Sequence, residues 1–223
     1  SAMIQARPSP VRPAALPSRD VRIATRDGLV IAATYTPGQQ DRSSAVLLLH
    51  GTGSSRQAMA RNAAWLANLG YATLTIDLRG HGQSDPASNS FGFFESRDAH
   101  AAFAWLKSRQ GGAPVAVIGI SLGGAASLIG EVGPLPAEAL ILQGVYPDIR
   151  HAIRNRLARR MPRPLSAVLE PLLSFQTGPR LGVWPSALSP LNALAGVRGS
   201  VLVIGGERDR STLPAESREM FEA

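Results

Sequence analysis

Five short, mostly apolar runs punctuate the chain: Ala45 to Leu49, Tyr71 to Ile76, Val115 to Ile120, Ala139 to Val145 and Val201 to Ile204. Runs with little polar alternation fit strands that are buried on both faces of a sheet. Between them, Arg56 to Leu69, Phe94 to Ser108 and Leu122 to Glu131 read as helices, so strand and helix alternate. That order predicts an α/β domain with a mostly parallel sheet, right-handed crossovers and helices on both faces. Ahead of it, from Asp20 to Thr36, two β-rich stretches flank Asp27-Gly28, a dipeptide suited to the positive φ angles of a tight hairpin turn. This pair is expected to be antiparallel.

The alternation breaks twice. Residues 1–19 carry Pro8, Pro10, Pro13 and Pro17 and read as an extended arm, leaving 20–223 as one domain. From about 147 to 195, Pro, Leu and Arg dominate and no strand is evident, which reads as a lid inserted after a strand. Within it Ile149, Ile153, Leu157 and Met161 recur every four residues, a helical stripe fit to rest over an active site. Arg156 and Arg160 fall beside that stripe, not opposite it. The plain reading is a solvated helix whose arginine stems cover apolar surface, with attraction to an acidic substrate or a lipid surface as the alternative. Pro162, Pro164, Pro171 and Pro179 are expected to keep the segments that follow short.

Composition narrows the classes. The 223 residues carry a net charge of +7, nearly all from arginine because Lys107 is the only lysine, and no nucleic-acid recognition motif accompanies that charge. Nucleic acid is therefore not an expected partner. The absence of cysteine excludes disulfides, thiolate metal sites and a thiol nucleophile. No apolar run approaches the roughly 18 residues needed to span a bilayer. The expectation is a soluble, cytoplasmic protein, or a periplasmic or secreted one if a signal peptide is removed ahead of Met3.

Candidate chemistry lies at the ends of the apolar runs. Gly119-Ile120-Ser121-Leu122-Gly123 is a GxSxG motif between the Val115 to Ile120 strand and a helix. On such a sharp turn the serine is strained and exposed, and the flanking glycines permit close approach of strand and helix. His50-Gly51-Thr52-Gly53 follows the Ala45 to Leu49 strand, with Ser54 and Ser55 available to cap the next helix. Asp77-Leu78-Arg79-Gly80-His81-Gly82-Gln83-Ser84 follows the next strand. His50 and His81 read as locally hydrogen-bonded loop histidines, and Arg79 as a pin for its own loop.

With these three motifs in order, the chain resembles the α/β-hydrolases from about Asp20 to its last residue; Asp77 to Ser84 looks like that family's DxRGxGxS loop. Phe91-Gly92-Phe93-Phe94-Glu95 before a helix is most similar to the bacterial esterase and serine-aminopeptidase-like members. The resemblance implies that Ser121 is the nucleophile and that the backbone N–H groups of Thr52 and Leu122 form the oxyanion hole. It also makes Asp209, in Gly205-Gly206-Glu207-Arg208-Asp209 after the last strand, the catalytic acid, with Asp148 in reserve.

The triad's histidine is expected after the acid, following one more helix and strand, and no histidine follows Asp209. His100 sits inside a predicted helix and His151 in the lid. Val201 to Ile204 as a bare sheet edge would be an aggregation liability, so the last strand and helix of that fold are expected to lie beyond Ala223. The expected activity is hydrolysis of a carboxylic ester, or a thioester or small amide, through an acyl-enzyme on Ser121, with no metal or organic cofactor. Acyl transfer or peptide hydrolysis would use the same residues. A catalytically silent protein binding a small ligand under its lid is the alternative from another class. The specific substrate and the oligomeric state are not legible in the sequence.

Overall fold

The computed structural model describes residues 17–223; residues 1–16, most of the expected arm, lie outside the described residues. Arg19 already belongs to the first strand. The strands are β1 (Arg19–Ala24), β2 (Val30–Thr36), β3 (Ala45–Leu49), β4 (Ala72–Ile76), β5 (Val115–Ile120), β6 (Ala139–Gln143) and β7 (Ser200–Ile204). They form one sheet in the order β1-β2-β4-β3-β5-β6-β7. β1 and β2 pair antiparallel, as does β2 with β4, and from β4 to β7 every pairing is parallel. α1 (Ala60–Asn68), α2 (Glu95–Arg109) and α3 (Leu122–Leu128) connect successive parallel strands. β3 and β4 are buried at every residue, which explains their unbroken apolar sequence.

The segment after β6 holds α4 (Ile149–Ala158), α5 (Arg163–Ser174), α6 (Thr177–Leu181) and α7 (Pro190–Ala193), and α8 (Pro214–Glu222) follows β7. No strand interrupts the inserted helices. Ile149 and Ile153 of the expected stripe are buried in the main core, and Leu157 packs against it. α5 runs for twelve residues despite its prolines, with Pro164 in the first turn, where its missing N–H costs no helical bond.

The hairpin differs from a two-residue turn. Gly28 N–H donates to Thr25 O at 3.1 Å and Thr25 N–H to Leu29 O at 2.8 Å, and only Gly28 of the pair has positive φ, at 85°. The loop is one turn followed by a left-handed glycine, and the Asp27 carboxylate turns to the protein instead. It accepts from Arg79 Nη1 at 2.7 Å and from Arg97 Nη1 at 2.7 Å. Buried Arg79 also donates from Nη2 to Asp98 Oδ1 at 2.7 Å, and its backbone N–H donates to Asp98 Oδ2 at 2.8 Å. One guanidinium thus fastens the loop after β4 to both the hairpin and α2. The hydrogen bond from Arg79 holds the Asp27 carboxyl well below the usual carboxylate range, while burial pushes Asp98 up to about 6 against the pull of Arg79.

Ser55 makes no side-chain cap for the turn that opens at Arg56. Asp77 supplies the acceptor: its Oδ1 takes Arg56 N–H at 2.6 Å, and its Oδ2 takes Gln83 N–H at 2.9 Å and pairs with the Arg56 guanidinium. The cap comes from a carboxylate far along the chain, and neither Ser54 nor Ser55 has that role.

Replacing Arg79 by Met should destabilise the protein by about 3–5 kcal/mol, because it leaves the Asp98 carboxylate buried without its cation. Adding Asp98→Leu should recover much of that loss. Urea unfolding near pH 8 measures both; a loss below about 1 kcal/mol would mean the pair counts for no more than an exposed bridge.

Candidate active site

β5 ends at Ile120, and Ser121 follows with φ 48° and ψ −109°, a conformation that a residue with a Cβ rarely adopts. The surrounding backbone holds it. Ser121 N–H donates to Gln143 O at the end of β6, at 2.9 Å, and Ser121 O accepts Ala125 N–H in the first turn of α3 at 2.9 Å. A Cβ on Gly119 would come within 2.5 Å of Gly124 Cα, and one on Gly123 within 2.5 Å of Leu49 O. Strand and helix therefore meet as closely as the glycines allow. The serine side chain is partly exposed while Leu122 and the rest of α3 are buried.

The loop after β3 lies against this turn. A Cβ on Gly51 would lie 3.6 Å from Ser121 Cβ, which places Thr52 one residue from direct contact with the serine. Two histidines shape this loop from behind. His81 Nε2 accepts Gly53 N–H at 3.1 Å, so Nδ1 carries the hydrogen and donates to Arg79 O at 3.0 Å. His50 Nε2 accepts Leu78 N–H at 3.1 Å while Nδ1 donates to Gly51 O at 2.8 Å. Both are fully buried, and burial lowers the His50 pKa to about 4. They couple the Gly51 to Gly53 loop to the Asp77 to Ser84 loop and have no ring nitrogen left for proton transfer.

Asp209 stands after β7, in a turn closed by Asp209 N–H donating to Gly206 O at 3.1 Å. Its Oδ1 accepts from Ser211 N–H at 2.7 Å and Thr212 N–H at 3.1 Å. Its Oδ2 lies 3.6 Å from where a Cβ on Gly144 would be, so it faces the residue next to Gln143, the partner of Ser121. Thr212 Oγ donates to Gly144 O at 2.9 Å and ties the Asp209 loop to the same spot. Ser121 and Asp209 follow strands separated by β6, two strand spacings or roughly 10 Å. They share one edge of the sheet but need a bridging group to communicate.

Asp148, the reserve acid, is the N-cap of α4. Its Oδ1 accepts both His151 N–H and His151 Nδ1–H at 2.9 Å. Burial alone would raise the Asp148 pKa, but the hydrogen bond from His151 holds it below the usual value, and the same bond raises His151. His100 Nε2, within α2, bonds Gly133 O in the loop after α3 at 3.0 Å. The sequence pattern did not single out a second strained residue, Phe91 at φ 57°, whose carbonyl takes the Tyr146 hydroxyl at 2.9 Å. Glu95 fixes that turn by accepting from Ser90 N–H and Gly92 N–H, each at 2.9 Å, and the turn packs on α3 behind the serine. The Phe91 to Glu95 motif was visible as a family likeness; its function as a buttress was not.

Comparison with known proteins agrees with this geometry. The chain is 35% identical over 116 residues to lysophosphatidylserine lipase ABHD12 of Gallus gallus, covering 49% of this chain and 30% of that protein. It is 26% identical over 196 residues to protein ABHD12B of Homo sapiens, covering 84% of this chain and 52% of that protein. The chain thus spans about half or less of these relatives' length. Among solved structures, an esterase of Pyrococcus furiosus superposes with a TM-score of 0.70 at 25% identity, covering 98% of this chain and 83% of that one. The α/β-hydrolase GrgF of Penicillium sp. sh18 shares the fold, with a TM-score of 0.66 at 21% identity over 93% of this chain and 86% of that one. Residues 40–181, more than half the chain, match the family described as Serine aminopeptidase, S33, and with the sheet order and the strained serine turn the chain belongs to this family of α/β-hydrolases.

Proposed function

We propose that the protein hydrolyses carboxylic esters through an acyl-enzyme on Ser121. The observation that carries this reading is the strained serine at the strand-to-helix turn, with the Gly51 to Gly53 loop against it. The hydroxyl attacks the ester carbonyl, the carbonyl oxygen becomes an oxyanion, and the alcohol leaves with a proton; water then releases the acid. Leu122 N–H, at the start of α3, has no intrahelical acceptor, and together with Thr52 N–H it would take the oxyanion. Such a donor contributes about 3–4 kcal/mol to the transition state. The esterase of Pyrococcus furiosus and the ABHD12 lysophosphatidylserine lipases support an ester as the substrate class.

Asp209 is the acid of this reading, because its Oδ2 faces the Gly144 position beside the Ser121 anchor while Asp148 is occupied in capping α4. The bridge between them is an imidazole. His50, His81 and His100 are each committed to backbone groups. His151 is held by Asp148, so none of the four histidines in these 223 residues is assigned as the base.

Ser121→Ala in the full-length protein should reduce hydrolysis of an activated acetate ester to background while leaving the unfolding midpoint nearly unchanged. Turnover at the parent rate would remove Ser121 from the chemistry. Asp209→Asn should lower kcat by several orders of magnitude, as a neutral amide neither fixes the tautomer nor stabilises an imidazolium. Asp148→Asn should lower it far less, and a reversed order of the two losses would move the acid one strand earlier. His151→Gln, assayed on the same ester, should keep kcat within about tenfold of the parent, well short of the loss from removing a general base. A collapse to the Ser121→Ala level would instead make His151 the base.

A further inference from the structure

Helix α5 turns most of its large apolar side chains to water. Its outer face carries Leu165, Val168, Leu172 and Phe175, which are 48%, 67%, 64% and 53% exposed. These positions follow one another at three- and four-residue steps, so they form a continuous ridge. Trp184, 63% exposed, extends the ridge by packing edge to face on Phe175 with ring centroids 6.3 Å apart. The face turned to the protein buries Ser166, Glu170 and Ser174, with Leu173 beside them packed against the core. Glu170 takes Arg150 Nε at 3.1 Å and a second arginine, Arg154, so its charge is neutralised from α4. A contiguous apolar face on a polar-backed helix marks a surface that meets a partner.

The charge around the ridge identifies that partner. Residues 147–195 hold seven arginines against only Asp148 and Glu170, so +5 of the chain's net +7 lies in this segment. Beside the ridge, α4, α5 and the loop after Asp209 enclose an open cavity of about 860 Å³ lined by Arg154, Arg159 and Arg210 with Asn155, Ser166 and Ala167. Ala167 is the neighbour of Val168, so cationic cavity and apolar ridge adjoin. Aliphatic and aromatic side chains backed by guanidinium groups are the composition of a helix lying in a bilayer interface, apolar face in the acyl layer and cations among the headgroups. No helix among the described residues is long and apolar enough to cross a membrane.

We propose that the α5 ridge, with the arginine-lined cavity beside it, is a docking surface for membranes rich in anionic phospholipid. This stands apart from the hydrolytic reading, because docking requires neither Ser121 nor Asp209. The lid is then the face presented to the bilayer.

The test is co-sedimentation of the 223-residue chain with phosphatidylcholine vesicles and with vesicles containing phosphatidylglycerol at physiological salt. Binding to the anionic vesicles should be at least tenfold tighter and should weaken as salt rises. Val168→Asp with Leu172→Asp should reduce binding at least tenfold; both positions are exposed, and circular dichroism should show the fold retained. Arg159→Gln with Arg210→Gln should narrow the difference between the two vesicle types. Leu202→Asp, on the exposed face of β7, and Ser121→Ala should bind as the parent does. Equal binding to both vesicles, no binding, or binding lost through Leu202→Asp and kept by the α5 double variant would each overturn the proposal. So would a dimer in sedimentation equilibrium that the α5 double variant dissolves without any vesicle binding, since a second copy would then cover the ridge.

Discussion

A serine at φ 48° and ψ −109° is held by its surroundings, since its own residue type disfavours that conformation by about 1–3 kcal/mol. The strands on both sides of β5 supply the restraint. β3 and β5 run in register with Leu49 opposite Gly119, and Leu49 O is the atom that leaves no room for a side chain on Gly123. On the other side, Ile120 aligns with Gln143 of β6, whose carbonyl takes the Ser121 N–H. The turn is geometrically possible only if three parallel strands are already in register. That makes the serine's exposure a property of the whole sheet.

The same economy governs the polar groups around the turn. The Asp77 to Ser84 loop is rich in titratable side chains, yet each is committed to structure. Asp77 caps the Arg56 turn, Arg79 joins hairpin and α2, and His81 supports Gly53. His50 closes the set by bonding Leu78 N–H. Burying so many polar groups is tolerable because they satisfy one another. It fixes the Gly51 to Gly53 loop from behind with two imidazoles whose ring nitrogens are all hydrogen-bonded. Asp209 Oδ2 faces the Gly144 position.

These commitments explain what the sequence could and could not tell. The parallel strands were legible because burial on both faces leaves an apolar run, and Ala45–Leu49 and Val115–Ile120 appear with the bounds the pattern predicts. The elbow was legible because its glycines are demanded by contacts that no other residue permits. Caps and turns were less so. Ser54 and Ser55 had the right chemistry, but Asp77 reaches the same N–H groups from another loop, and local spacing carries no record of that. Asp27-Gly28 carried a turn signal, while the partner that reoriented Asp27, Arg79, lies elsewhere in the chain. In the inserted segment the Ile149 and Ile153 stripe was readable by period. α5 was obscured by its prolines, although Leu165, Val168, Leu172 and Phe175 repeat at helical steps and could have been found by the same count.

What the pattern could not reveal was which way α5 faces. A helical stripe of apolar residues normally turns to the core, and the core here was already filled from the other side by Ile149, Ile153 and Leu188. Glu170 decides the orientation: a carboxylate that meets Arg150 and Arg154 on α4 must point inward, and Ser166 and Ser174, one turn to either side, follow it. Leu165, Val168 and Leu172 then face outward, while Leu173 packs against the core. The inward ion pairs and the outward ridge are therefore one choice made once, and the arginines that α4 does not spend on Glu170 remain beside the ridge as positive charge. The inserted helices organised in this way present apolar and cationic groups together on their outward face.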